Sequence, residues 1–223
     1  SILIFTKANK IIVTTSSMKS EFINEFQLKK ESITIIPNYI DVDNFKRDSK
    51  IIKEKEILII GRLTKQKNID QLFEVISNCK YKINLIGDGN VDYYKILSKK
   101  FGLNVSYIKK VDNKQLSKYF NKCCLYIIYS LYEGNPKTLL EAMSCEMPVI
   151  GSDVVGIKEL IFNQVNGVLV GLGDPEINNY IDKIMENKKY RENLGERARK
   201  TILENNSLKT IVEKLLVTYY EKS

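Results

Sequence analysis

Eight short runs that are apolar on nearly every residue recur along this 223-residue chain, at 11–15, 33–36, 57–60, 81–86, 105–108, 125–129, 149–150 and 168–170. A strand that alternates polar and apolar residues leaves one face to water, whereas a run without alternation has to be covered on both. That is the condition of a strand inside a parallel sheet layered by helices. The segments between the runs are amphipathic and predict helices at 18–26, 69–77, 91–101, 113–121, 136–144, 157–162, 175–186, 189–204 and 207–221. Strand and helix thus alternate, which specifies an α/β fold with a doubly wound, Rossmann-like parallel sheet. A charge-rich stretch, 44–56, interrupts the pattern and reads as a linker.

In such a sheet ligands bind outside the carboxyl ends of the strands. The most informative residues lie at one of these ends: Glu133-Gly134-Asn135-Pro136-Lys137-Thr138-Leu139-Leu140-Glu141 follows the apolar run 125–129. Asn135 fits a helix N-cap and Pro136 the first helical position, where a missing N–H costs nothing. The amides of Lys137, Thr138 and Leu139 would then point out of the helix start and, with the helix dipole, seat a phosphate. Two carboxylates, Glu133 and Glu141, flank that seat. The competing reading is a plain strand-turn-helix unit whose glutamates are solvated.

Composition narrows the chemistry. His is absent, which removes imidazole acid–base work, Ser-His-Asp triads and His-metal sites from this chain. The net charge is +8, but Lys is scattered among Glu, Asn and Ile rather than gathered on one face, so a nucleic-acid partner is not expected. Attraction to an anionic membrane surface or an acidic lipid-linked acceptor is the sharper reading of that charge; compositional bias is the plainer one. Cys79, Cys123, Cys124 and Cys145 lack Cys-x-x-Cys spacing and three lie in or beside apolar segments, as expected of free thiols in a reducing cytoplasm. Asp41-Val42-Asp43 spells Asp-x-Asp but does not follow a nucleotide-binding strand, so no metal site is assigned to it.

The Glu-x7-Glu spacing of Glu133 and Glu141 resembles the signature of glycosyltransferase family 4, the group 1 retaining glycosyltransferases of GT-B fold. Other segments agree in order: Ile35-Ile36-Pro37-Asn38-Tyr39-Ile40-Asp41, Ile60-Gly61-Arg62-Leu63 with Lys67-Asn68, Ile86-Gly87-Asp88-Gly89, Glu141-Ala142-Met143 with Pro148-Val149-Ile150, then Gly167 and Gly173-Asp174-Pro175. Departures occur at Tyr39, Asn68, Lys110 and Glu146, where the family favours Gly. Members have two tandem Rossmann-like domains with the active site between them. The resemblance therefore implies a remnant of the N-terminal acceptor domain at 1–43, a linker at 44–56, the donor-binding domain at 57–206 and a returning helix at 207–223. The absence of an initiating Met fits a fragment of that kind.

The resemblance also implies roles. Arg62 and Lys67 would stabilise the leaving diphosphate, Glu133 would bind donor-sugar hydroxyls and stabilise positive charge on the ring, and Glu141 would take the ribose diol. Gly87 and Gly89 would allow close approach of ligand, and the backbone around Lys109 and Lys110 would read the base. No cofactor and no metal are expected. The substrates would be a UDP- or GDP-sugar and a saccharide or lipid-linked acceptor, in surface polysaccharide assembly in the cytoplasm or at the inner face of the membrane. The alternatives are a non-catalytic sugar-nucleotide binding module and a GT-B sugar-nucleotide epimerase.

Overall fold

The computed structural model describes residues 8–220. Its larger part is a six-stranded sheet in which every neighbouring pair is parallel. The order is β5 (Val105–Ile108), β4 (Lys82–Ile86), β3 (Glu54–Ile60), β6 (Cys123–Ile128), β7 (Val149–Ser152), β8 (Val168–Val170). The chain winds outward from β3 to one edge, returns to β6, and winds to the other edge. The direction of winding reverses between β3 and β6, so the crevice at their carboxyl ends is the topological switch point.

Residues along a strand alternate between the two faces, and each face has its own apolar cluster. Ile57 and Ile59 of β3 join Leu72 and Phe73 of the helix Ile69–Val75 and Ile181 and Ile184 of the helix Ile177–Glu186. Leu58 points the other way, to Phe120 of the helix Asn113–Lys122, Leu139 and Leu140 of the helix Lys137–Ser144, and Ala198 and Ile202 of the long helix Lys188–Asn205. This double cover explains why the strands read as unbroken apolar runs. Boundaries shift by a few residues, as helix and strand ends do. β3 starts at Glu54, so the end of the stretch 44–56 is already strand. The rest of that stretch is anchored: Phe45 is buried and packs edge-on against Phe120. The predicted helix 157–162 is a run of turns instead, with mixed hydrogen bonds such as Lys158 N–H to Val154 C=O and Leu160 N–H to Ile157 C=O. Gly156 enters it at φ +86°, outside the helical region, and its two i,i+4 bonds, Lys158 N–H to Val154 C=O and Ile161 N–H to Ile157 C=O, are not consecutive, so no continuous helix forms.

A smaller unit precedes the large sheet. Strands β1 (Ile11–Val13) and β2 (Ile33–Ile35) pair in parallel, joined by the helix α1 (Ser16–Phe26). Thr15 caps α1, its hydroxyl accepting from Met18 N–H, and Ile11, Val13 and Ile33 form a separate small core with Phe22 and Ile23. The cap is completed from far away in sequence: the Glu159 carboxylate accepts Ser16 N–H at 2.8 Å and Ser17 N–H at 3.1 Å. The last described helix, Leu208–Tyr220, packs on Lys188–Asn205; of the predicted helix 207–221, Glu221 lies outside the described residues, as do 1–7 of the predicted remnant. Among the described residues no helix is long and apolar enough to cross a membrane.

Candidate functional site

The buried strand β6 delivers the chain to the switch point, and the polar residues that follow it immediately open the candidate site. Ser130 Oγ donates to Glu133 Oε1 at 2.6 Å, and Lys67 Nζ donates to the same oxygen at 2.5 Å. Lys67 gets there by lying across Gly61: a Cβ on Gly61 would stand 3.1 Å from its side-chain carbons. Its loop is held in place because Leu131 N–H donates to Gln66 C=O and the Gln66 side chain donates to Tyr132 C=O. Lys67 and Glu133 are therefore one ion pair rather than two independent groups. Glu133 Oε2 has no protein partner among the described residues.

The helix after the turn begins at Lys137, one residue later than expected. Pro136, with ψ 114°, occupies the N-cap position, and no side chain caps the helix. Asn135 is not the cap because its side chain and carbonyl are both bonded to Asn38. The N–H groups of Leu139 and Leu140 both donate to Pro136 C=O, so the open amides are those of Lys137 and Thr138, and Leu139 is not among them.

Glu141 is the fifth residue of this short helix, and the helix packs that face inward, leaving the residue 4% exposed. Asn113 Nδ2 donates to its Oε1 at 2.8 Å, while its buried Oε2 has no partner among the described residues. Burial pushes its carboxyl above the usual range, and the Asn113 hydrogen bond and the Lys137 charge offset that only in part. A buried acceptor without a protein partner costs stability and calls for a partner from outside the protein or a strained function.

Asn113 also lines a hollow of about 260 Å³ at the carboxyl ends of β3 and β4, with Ile60, Ile86, Val111 and Leu116 as apolar walls and Arg62, Gly87 and Lys110 around them. Arg62 is exposed and makes no ion pair or side-chain hydrogen bond among the described residues. The hollow thus collects Arg62, Gly87 and Lys110, and through Asn113 it adjoins Glu141; Lys109 and Gly89 are not part of its wall. Both glycines of the Gly-Asp-Gly turn answer to the protein itself. A Cβ on Gly87 would lie 1.9 Å from Gly61 O, and one on Gly89 would lie 2.5 Å from Leu63 Cβ at φ +147°.

Asn113, Ser130 and Asn38 carry site geometry that reading the sequence did not assign. Each directly follows or closely trails a strand at its carboxyl end, which is the signal that was available. Two of the four departures from Gly have a conformational reason. Asn68 (φ 51°) and Glu146 (φ 54°) both hold the left-handed conformation that Gly adopts freely, and Glu146 closes the helix Lys137–Ser144 with Met147 N–H donating back to Ala142 C=O. Tyr39 and Lys110 do not adopt it. The Asp41 carboxylate accepts the N–H groups of Asp43 and Asn44, so it caps its own turn.

Fold and site together define a doubly wound α/β domain with two half-satisfied acids and an open helix start at its switch point. Residues 41–201 match the family described as Glycosyl transferases group 1, and the chain belongs to that family. An uncharacterized glycosyltransferase of Methanocaldococcus jannaschii is 28% identical over 231 residues, covering 94% of this chain and 59% of that protein. The capsular polysaccharide biosynthesis glycosyltransferase CapM of Staphylococcus aureus is 26% identical over 235 residues, covering 95% and 61%. The crystal structure of Anabaena HepE in complex with UDP-glucose superposes with a TM-score of 0.84 at 20% identity, covering 96% of this chain and 64% of that one, a likeness of fold. The chain therefore spans less than two thirds of each of these proteins.

Proposed function

We propose that this chain is the donor half of a retaining glycosyltransferase, binding a nucleotide-diphosphate sugar whose glycosyl group passes to a saccharide or lipid-linked acceptor in polysaccharide assembly. The orphaned Oε2 of Glu141 carries this reading. A vicinal diol offers two donors and a carboxylate accepts on each oxygen, so a ribose would satisfy what the protein leaves open. The hollow beside it, apolar-walled and next to the backbone at Lys110, suits the base. The Lys137 and Thr138 amides and Arg62 then face the diphosphate. Glu133, with Oε1 held by Lys67 and Ser130, offers Oε2 to the sugar.

As the glycosidic bond breaks, its electron pair goes to the leaving phosphate oxygen. Arg62 and the helix start stabilise the charge that develops there. That same oxygen can take the acceptor's proton on the face it leaves, so configuration is retained without a protein base. Residues 57–206 would be the donor domain, with 1–43 and the helix from 207 belonging to the acceptor side. HepE with bound UDP-glucose and the capsular role in the name of CapM support the substrate class.

Titration calorimetry with UDP, GDP and UDP-glucose tests the binding. UDP is expected to bind, and Glu141→Ala and Arg62→Ala to weaken it; no binding, or no change in either variant, rejects the assignment. Transfer of radiolabelled sugar by the chain joined to a family N-terminal domain tests the activity.

A further inference from the structure

The turn between Glu133 and the helix start is gripped from outside the six-stranded unit, and the grip centres on Asn38. Asn38 N–H donates to Asn135 Oδ1 at 3.0 Å, and Asn38 Nδ2 donates to Asn135 C=O at 2.7 Å. Two bonds closing one ring fix Asn135 in direction as well as position. Asn38 C=O in turn accepts from Asn206 Nδ2 at 2.9 Å, and Ile40 N–H donates to Asn206 C=O at 2.8 Å. Asn206 joins the helices Lys188–Asn205 and Leu208–Tyr220, so the segment leaving the small unit and the junction before the last helix meet at one residue.

Little else restrains the turn on that side. A Cβ on Gly134 would meet nothing within 4 Å, and Pro136 has no N–H to give. Behind the turn stands a backbone wall: a Cβ on Gly156 would lie 2.1 Å from Gly134 O and 2.2 Å from Glu133 O. The turn is held between that wall and Asn38.

We infer that Asn38 is a positioning residue of the site. Through Asn135 it sets the spacing between Glu133 and the amides of Lys137 and Thr138. The sugar and diphosphate subsites are then in register only while the segment 36–40 is docked, whereas the nucleoside end, built from Glu141, Asn113 and the hollow, does not depend on it. The ligand part of this inference rests on the donor-site reading; the restraint on the turn does not.

Asn38→Ala deletes the side-chain donor, and Asn38→Asp keeps its size while turning an acceptor toward Asn135 C=O. In the ligand-free chain, hydrogen exchange over 133–138 is expected to quicken about fivefold in Asn38→Ala and more in Asn38→Asp, with β3 and β6 unchanged. UDP affinity is expected to fall by about the same factor, with uridine affinity unchanged. Unaltered exchange at 133–138, or faster exchange throughout with uridine and UDP weakened alike, overturns the inference. If Asn38→Ala does not fold, Asn38→Asp supplies the same readouts. If the native chain binds neither uridine nor UDP, the donor reading falls, and the exchange measurement alone decides the role of Asn38.

Discussion

The two ends of the six-stranded sheet treat a buried carboxylate in opposite ways. At the amino end, Glu56 has both oxygens occupied: Lys82 Nζ donates to one at 2.8 Å and Asn84 Nδ2 to the other at 2.7 Å. Burial alone would raise its pKa, yet those hydrogen bonds outweigh it and hold the carboxyl below its usual range. At the carboxyl end, Glu141 has one oxygen held by Asn113 and one without a partner among the described residues, and burial pushes its pKa up. The same residue type on the same scaffold is thus a satisfied structural group at one end and a destabilising one at the other. The end that breaks the rule of satisfied polar groups is the end where a parallel sheet binds its ligand.

The widest separation between the two ends is expected in binding. Glu141→Ala should weaken UDP and uridine about a hundredfold by calorimetry, because two charge-assisted hydrogen bonds are lost. Unchanged uridine affinity would break the comparison at once. Glu56→Gln should leave both affinities alone and destabilise the chain by about 2 kcal/mol in urea denaturation, since Lys82 loses a charged acceptor. Arg62→Ala should cost about tenfold in UDP affinity and nothing for uridine, and Arg62→Lys should restore it only in part because the planar fork is gone.

The smallest effect has the opposite sign. Glu141→Gln should stabilise the ligand-free chain by about 1 kcal/mol at neutral pH. The folded pKa of Glu141 lies above the unfolded one, so the unfolded chain gives up its proton first. Stability from this group therefore falls as pH rises through that window. Glu56 has a depressed folded pKa and contributes stability that is lost as pH falls through it. The Glu141→Gln gain should accordingly vanish in acid, and a gain that persists there would show that burial of charge is not its cause.

Much of this was legible in the chain itself. Unbroken apolar runs such as 57–60 and 125–129 gave the buried parallel strands, because few other arrangements cover both faces of a strand. The spacing of Glu133 and Glu141 placed both acids at one strand end. Pairing was not legible: that Lys67 would lie over Gly61 to reach Glu133, or that Asn113 would hold Glu141, depends on contacts between residues 66 and 28 positions apart in the chain. The helix start slipped by one residue for the same reason. Asn135 has the chemistry of an N-cap, but Asn38, 97 residues earlier, took its side chain first. Local propensity at 157–162 likewise yielded to Gly156, whose left-handed backbone lets the chain press against Gly134.

The bidentate hold of Glu159 on the first amides of α1 has a consequence during synthesis. Those amides leave the ribosome 143 and 142 residues ahead of their acceptor. At ordinary elongation rates that is an interval on the order of ten seconds. For that time Thr15 holds the start of α1 without Glu159, so the finished helix start is a late event in the life of the nascent chain.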